Sequence, residues 1–173
     1  MSDQNTQEMD FAAMAAPAEQ HELLKKFEGT FKSEVRMWFE PGGEPHVSTG
    51  TMVNELDLGG RFLKQTYTGD PNEGPFPAFE GRGYFGFNKT TNEFEGFWID
   101  NAVTSMSTEQ GRVNADCTRW EMHTDMQCPM SGEPMKRRSV CIWKDADHHV
   151  MEMYHTAEGH PETKSMEIRY ERA

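Results

Sequence analysis

Hydrophobic and polar residues alternate along most of the chain with the period of two that is typical of half-buried β-strands. The clearest example follows Gly29, where Phe31 to Phe39 have apolar or small residues at every second position and mostly charged residues between them. Strands are also expected at about 46–57 and 61–69, because Leu58-Gly59-Gly60 suits a tight turn with positive φ. The first three strands are therefore expected to form a β-meander.

The same pattern continues to the C-terminus in segments separated by turn residues. A central hairpin is expected over 81–101, with its loop at Asn88–Asn92, and five more strands follow it. These five are expected at 104–110, 117–125, 135–144, 149–157 and 162–172. Ten antiparallel strands without crossover helices predict an all-β fold, an up-and-down barrel or strongly curved sheet, because closure removes exposed edges. A two-sheet sandwich is the competing architecture.

One short helix is expected before the first strand. Pro17 lies in its first turn, the apolar side chains of Leu23, Leu24 and Phe27 form one stripe, and Gly29 ends it. Residues 1–16 are polar and acidic, with small side chains, so they are expected to be a disordered tail. The sequence thus predicts one domain over 17–173, interrupted by the proline-rich loop Asp70–Ala78.

The central hairpin contains the spacing G-x-G-x-x-G at Gly81, Gly83 and Gly86, which also occurs in dinucleotide-binding turns. Such a turn requires a helix that begins at the third glycine, and here a polar turn and another strand follow instead. The glycines are therefore interpreted as positions where a curved hairpin bends and where neighbouring aromatic rings approach the backbone closely.

Several short motifs resemble the bacterial family called domain of unknown function fifteen-seventy-nine (DUF1579), over about residues 20–172. The motifs are Gly29-Thr30-Phe31, Leu58-Gly59-Gly60-Arg61-Phe62-Leu63, Gly83-Tyr84-Phe85-Gly86-Phe87-Asn88, Phe97-Trp98-Ile99-Asp100-Asn101 and Asp145-Ala146-Asp147-His148-His149. The resemblance implies a calycin-like barrel, similar to lipocalins or fatty-acid-binding proteins, with a lumen. It implies no particular reaction.

Composition narrows the expected partners. The formal net charge of −12 disfavours nucleic acid and anionic membrane surfaces. The chain contains no apolar stretch long enough to span a bilayer and three cysteines, an odd number, so a cytoplasmic protein is expected. A homodimer or purely structural domain, using an apolar outer face with Trp38 or Trp143, stays open as an alternative.

Metal and cofactor sites are not expected from the local patterns. His149 and His155 share a strand face but lie six residues apart, a separation of roughly 20 Å that one metal ion cannot bridge. Fatty-acid-binding barrels use an Arg and a Tyr two residues apart on the last strand, whereas Arg169 and Tyr170 are adjacent and so face opposite ways. A metal site built from residues on different strands stays open, and no cofactor is predicted.

The leading hypothesis is a barrel that binds a small, partly apolar molecule in its lumen. Its candidate ligand-binding residues are Tyr67, Trp98, Asp100, His123, Arg138 and His155. Asp100 and Arg138 are a candidate ligand-orienting pair, with the alternative that Asp100 caps a turn and Arg138 faces solvent. Two other functions are open: a hydrolase or isomerase that uses Asp100, His123 or His155 as general acid or base, and nitrobindin-like haem binding through His149 or His155.

Overall fold

Ten antiparallel strands close into a barrel in a computed structural model that describes residues 11–71, 78–129 and 131–173. Each strand pairs with its neighbours in the sequence, and the first strand pairs with both the second and the last. The strands are β1 (Gly29–Met37), β2 (His46–Asp57), β3 (Phe62–Gly69), β4 (Glu80–Asn88), β5 (Glu93–Asp100), β6 (Ser107–Val113), β7 (Arg119–Gln127), β8 (Pro134–Trp143), β9 (His148–Ala157) and β10 (Thr163–Arg172). The predicted barrel is confirmed, and the two-sheet sandwich is excluded.

The turns between the early strands have the predicted form. Leu58, Gly59 and Gly60 all have positive φ, at 47°, 70° and 80°. In the central hairpin, the Asn92 N–H donates a 2.8 Å hydrogen bond to the Asn88 carbonyl. Because β5 follows β4 directly after this turn, the dinucleotide-binding interpretation is excluded by the topology.

The prediction for β6 needs a correction at its C-terminal end. The sequence predicted a strand over 104–110 and a turn from Gly111, but the strand covers Ser107–Val113. Gly111 pairs with Met122 on β7, and any Cβ at position 111 would overlap the backbone of Glu121. This glycine is therefore needed for close approach of two strands and does not mark a turn.

A nine-residue 3₁₀ helix, Glu19–Phe27, covers one end of the barrel at the position where a helix was predicted. We call it the plug helix. The side chains of His21, Leu24 and Phe27 are buried beneath it, and its first turn is held by the Ala18 N–H, which donates to Nδ1 of His21 at 2.9 Å. No helix in the described part of the chain is long and apolar enough to span a membrane.

The segment before the plug helix belongs to the predicted tail. Residues 1–10 lie outside the described residues, as do positions 72–77 of the predicted loop Asp70–Ala78. The part that is described contains a short helix, α1 (Phe11–Ala15), with every side chain exposed. Its last carbonyls accept hydrogen bonds from Arg61 and Lys89, cations that complement the negative end of a helix dipole.

The plug-helix half of the barrel is filled by large side chains, which form two adjoining clusters. The cluster beneath the plug helix contains Leu24, Phe27, Leu63, Phe87, Phe94, Trp120 and Met122. The cluster toward the middle of the barrel contains Phe31, Val35, Met52, Tyr67, Ile168 and Tyr170. Burial of this apolar surface is the main stabilising contribution to the fold.

His149 lies within this aromatic packing. Its ring stacks on Tyr170 with centroids 4.4 Å apart and on Trp143 at 5.7 Å, while the edges of Phe27 and Phe31 face it. Nδ1 of His149 is buried without a hydrogen-bond partner among the described residues. Desolvation therefore lowers the pKa of His149 to about 3, and the ring is neutral. Trp143 packs inside the barrel, so it cannot contribute to an apolar outer face.

The last strand fixes the plug helix to the barrel. The Arg172 guanidinium donates to the carbonyls of Glu28 at 2.7 Å and Lys26 at 3.1 Å, and it lies 4.5 Å from the ring centroid of Phe31. Arg169 is exposed whereas Tyr170 is buried, as their adjacency predicted. Tyr170 and Arg172 do share the inner face, but Arg172 already donates hydrogen bonds to backbone carbonyls at the plug helix.

Replacing His149 by Phe should make folding less sensitive to acid. The folded-state pKa of about 3 lies below the ordinary value of 6.5, so the stability linked to His149 is complete above the ordinary pKa and is lost as the pH falls toward 3. At a pH of about 4.5, this linkage should cost the wild type about 2–3 kcal/mol of unfolding free energy. Urea unfolding of both proteins near neutral pH and at this lower pH measures the difference.

The neighbouring His148 provides the control. It is exposed, and its hydrogen bond to Asp145 raises its pKa, so His148→Asn should not reduce the acid sensitivity. An equal loss of stability with acid in wild type and His149→Phe would contradict a buried, neutral His149.

Candidate functional site

The half of the lumen farthest from the plug helix, which we call the open half, differs from the filled half in its polarity and exposure. Residues opposite each other on paired strands share a face of the sheet, so the buried clusters identify which residues point inward. The inward residues of the open half that are only partly buried include Trp98, Ser107, Glu109, Arg137, Met153, His155 and Met166. Because these side chains point inward and are still partly exposed, solvent reaches the lumen from this end.

Inward polar side chains form one row across the strands of the open half. Glu109 on β6 is opposite Gly96, and Arg137 on β8 is opposite both Thr124 on β7 and His155 on β9. Directly opposed residues have Cβ atoms about 5 Å apart. We call Ser107, Glu109, Thr124, Arg137, Ser139 and His155 the polar cluster.

Arg137 is at the centre of the polar cluster. Its Nη2 donates to the Ser107 hydroxyl at 2.8 Å and lies 3.6 Å from the nearer carboxylate oxygen of Glu109. The Arg137 side chain is 13% exposed, and its Nε is buried with no hydrogen-bond partner among the described residues. The Ser139 hydroxyl is also buried and has no partner within normal hydrogen-bond geometry, although it is close enough to Glu109 to lower the pKa of that carboxyl. The cluster therefore has hydrogen-bonding capacity that neighbouring protein groups do not use.

The ionisable groups beside Arg137 are both shifted toward their neutral forms. Desolvation raises the pKa of Glu109, and the nearby Arg137 charge offsets part of this increase. Desolvation also lowers the pKa of His155, and the positive charge of Arg137 lowers it further. The two groups flank one guanidinium inside the barrel, and burial opposes charge on each of them.

Trp98 forms an aromatic wall of the open half. Its ring lies against Gly81 and Gly83 of β4, where an added Cβ would overlap the indole. Its Nε1 donates to the Asp100 carboxylate at 3.2 Å. The glycines of the central hairpin thus permit close approach of an aromatic ring, which is what the sequence predicted for them.

Asp100 and Tyr67 have partners within the protein. The Asp100 carboxylate accepts from the backbone N–H groups of Ala102 at 2.9 Å and Val103 at 3.2 Å, so it caps the turn after β5. The Tyr67 ring is buried, and its hydroxyl accepts a 3.0 Å hydrogen bond from Ser33. Tyr67 therefore forms the floor between the filled half and the open half.

His123 and Arg138 lie on the outer face of the barrel and not in the lumen. Arg138 donates two hydrogen bonds to Glu162, at 2.9 and 2.7 Å, and its guanidinium stacks 4.4 Å above the ring centroid of Tyr154. The bond to Glu162 raises the pKa of Arg138. Asp100 and Arg138 are thus on opposite faces of the sheet, and the structure does not form the predicted ligand-orienting pair.

A cavity of about 750 Å³ lies beside the polar cluster, and we call it the side cavity. The β6–β7 ladder stops at the pair Gln110–His123, although β6 begins at Ser107 and β7 continues to Gln127. The wall of the side cavity combines outward and inward residues from this region, among them Phe62, Tyr84, Phe97 and His123 from outside and Glu109 and Arg137 from inside. The cavity is therefore next to the unused hydrogen-bonding groups.

Sequence reasoning missed Arg137 and Glu109. It chose Arg138 as the lumenal arginine of this strand, but Arg138 shares its face with Val140, which is covered on the outside of the barrel. The usable signal was on β7, where buried Trp120 and Met122 are opposite Cys141 and Ser139. A hairpin register built from that apolar pair would have placed Arg137 inside.

Cysteine and metal chemistry receive no support from the described residues. Burial raises the pKa of the inward Cys141 thiol to about 12, so it is protonated and unreactive. Within 11–71, 78–129 and 131–173, no group of three or more His, Cys, Asp or Glu side chains is arranged to hold a metal ion.

Comparisons with known proteins agree with the observed architecture. A family model described as "Protein of unknown function (DUF1579)" matches residues 16–172. The solved structure of an S-type phycobiliprotein lyase, CPES from Guillardia theta, matches with a TM-score of 0.56 and 8% sequence identity, over 95% of this chain and 98% of that chain. A search of curated proteins finds no match. At this identity the structural match shows the fold alone.

Replacing Gly81 by Ala should destabilise the protein through Trp98. The new methyl group would overlap the indole ring, so we expect a loss of about 1–3 kcal/mol in unfolding free energy. Trp98→Leu in the same chain should recover most of this loss, because the overlapping atoms are removed. Thermal unfolding of the single and double variants measures both effects.

Gly43→Ala is the matched control, because Gly43 has ordinary φ and the nearest atom to an added Cβ would be the Glu40 carbonyl oxygen, at 3.4 Å. If Gly81→Ala were as stable as this control, or if Trp98→Leu gave no recovery, the contact assigned to Trp98 would be wrong.

Proposed function

The chain belongs to the DUF1579 family of proteins of unknown function, and we propose that its barrel binds a small, partly apolar molecule in the open half of the lumen. The observation that carries the proposal is Arg137, an inward and largely buried guanidinium whose Nε has no partner among the described residues. Buried polar groups are normally hydrogen-bonded, so such a group at a solvent-accessible lumen is a ligand-binding feature.

The walls of the open half suit an amphipathic molecule. Trp98, Met153 and Met166 supply apolar and polarisable surface, while Arg137 and His155 supply polar contacts. We assign the ligand contacts to these residues, with Asp100 orienting Trp98 and with Tyr67 as the floor. His123 lines the side cavity, whereas Arg138 lies on the outer face with Glu162 and is assigned no ligand contact.

The comparisons support the same proposal at the level of the fold. A closed barrel that matches a phycobiliprotein lyase over most of both chains is an architecture that can enclose a small molecule. We further propose a cytoplasmic protein, because an odd number of cysteines suits a reducing compartment. A homodimer stays a prediction.

A general acid–base enzyme is a second candidate function. Glu109 and His155 flank Arg137 inside the lumen. Burial raises the pKa of Glu109 and lowers the pKa of His155. A carboxyl and an imidazole whose pKa values are shifted toward each other can transfer protons to and from a bound substrate. Turnover of any bound ester or ketone that is lost in Glu109→Gln, without loss of binding, would favour this candidate over binding alone.

Filling the open half should prevent binding. His155→Trp adds bulk to an inward position, whereas Thr156→Trp adds the same bulk to the next residue of β9, which faces outward. For a neutral fluorescent probe such as N-phenyl-1-naphthylamine, we expect affinity to fall about tenfold or more for His155→Trp and to change little for Thr156→Trp. Fluorescence titration measures both.

Equal affinity of the two variants for the probe would contradict a site in the lumen. Unfolding midpoints measured beside the titrations show that both variants are folded.

A further inference from the structure

The polar cluster specifies the chemistry of one end of the ligand. Arg137 has five N–H donors, and in the described structure its Nη2 contacts Ser107 and Thr124 whereas Nε has no acceptor. A guanidinium presents Nε and one terminal nitrogen as a fork that matches the two oxygens of a carboxylate. The unused part of Arg137 therefore fits a planar anionic group better than a hydroxyl or a cation.

Glu109 does not occupy that fork. Its carboxylate lies 3.6 Å from Nη2 of Arg137, which is longer than a normal hydrogen bond, and its side chain is 24% exposed. The contact is therefore an ion pair without the bidentate geometry that makes such pairs strong. Arg137 is left with a neutralising charge nearby and, at Nε, a buried donor that no described residue uses.

We propose that the ligand carries a carboxylate that accepts from the unpartnered Nε of Arg137, and that its binding is coupled to uptake of a proton by Glu109. This inference rests on the proposed function and names the ligand class for the same site. A second carboxylate beside Arg137 would repel an ionised Glu109, so the complex is stabilised when Glu109 is neutral.

The surroundings favour this coupling. The charged and titratable groups that interact with Glu109 are Arg137 and Cys141, both on β8. His155 on β9 lies opposite Arg137, and Asp100 lies four residues beyond Gly96, the β5 residue opposite Glu109. Burial already raises the pKa of Glu109 and keeps Cys141 protonated. Asp100 is held by the turn that it caps. Arg137 therefore supplies the fixed positive charge, and Glu109 is the acid most directly exposed to the ligand's charge.

A series of ten-carbon ligands tests the inference by displacement of N-phenyl-1-naphthylamine. Decanoate, decanol and decyltrimethylammonium share the apolar chain and differ in the head group. We expect decanoate to bind wild type at least about tenfold more tightly than decanol in mildly acidic buffer. Its affinity should weaken by up to about tenfold per pH unit wherever Glu109 is ionised in the free protein and protonated in the complex. Decanol binding should not depend on pH.

Matched variants assign the effect to particular residues. Arg137→Gln should abolish the preference for decanoate, whereas Arg138→Gln, at the next position and on the outer face, should keep it. Glu109→Gln should bind decanoate tightly with a flat pH profile. If Arg137→Gln folds poorly because it leaves Glu109 unpaired, the double variant Arg137→Gln/Glu109→Gln removes both charges and should show no preference.

The outcomes separate this inference from the function on which it rests. Equal affinity of wild type for decanoate and decanol, loss of the preference in Arg138→Gln but not in Arg137→Gln, or a pH dependence that persists in Glu109→Gln would overturn the inference while leaving lumen binding intact. Failure of wild type to bind the probe or any member of the series would overturn both.

Discussion

The aromatic packing beneath the plug helix divides the barrel into two halves with different properties. Phe27 of the plug helix contacts Trp120, Trp143 and His149 edge-on, at centroid distances of 5.0–5.3 Å, and Arg172 ties the end of the same helix to the last strand. Because this end is filled, a ligand can enter only elsewhere. The arrangement also explains the neutral His149, since charging it would place an unpaired cation among aromatic rings.

The inward polar side chains lie in the half of the barrel that the plug helix does not close. Glu109 on β6, Arg137 on β8 and His155 on β9 all lie on the inner face in the open half, where water still reaches them. Burying such groups costs free energy that their mutual contacts only partly offset, and Nε of Arg137 has no protein acceptor in the described residues. This free-energy cost is offset when a ligand supplies the missing acceptor for Nε of Arg137.

Most of the fold could be predicted from the sequence because alternation, turn residues and glycine spacing are local signals. The ten strands, the helix before Gly29 and the turn at Leu58–Gly60 are all of this kind. The site could not be predicted equally well, because which face of a strand points inward depends on pairing between strands. On β8 the apolar Val140 is buried on the outside of the barrel, and the face with Arg137 points inward. An error of one residue in the assumed register therefore placed Arg138, and not Arg137, inside the barrel.

Methionine methyl NMR during titration with a neutral apolar probe tests the central claim, which is that a ligand occupies the open half while the plug-helix half stays packed. The chain has thirteen methionines; Met153 and Met166 lie in the open half, and Met122 lies in the cluster beneath the plug helix. We predict saturable shifts for Met153 and Met166 with little change at Met122. Shifts confined to Met122, or none at Met153 and Met166 at saturating probe, would contradict the account.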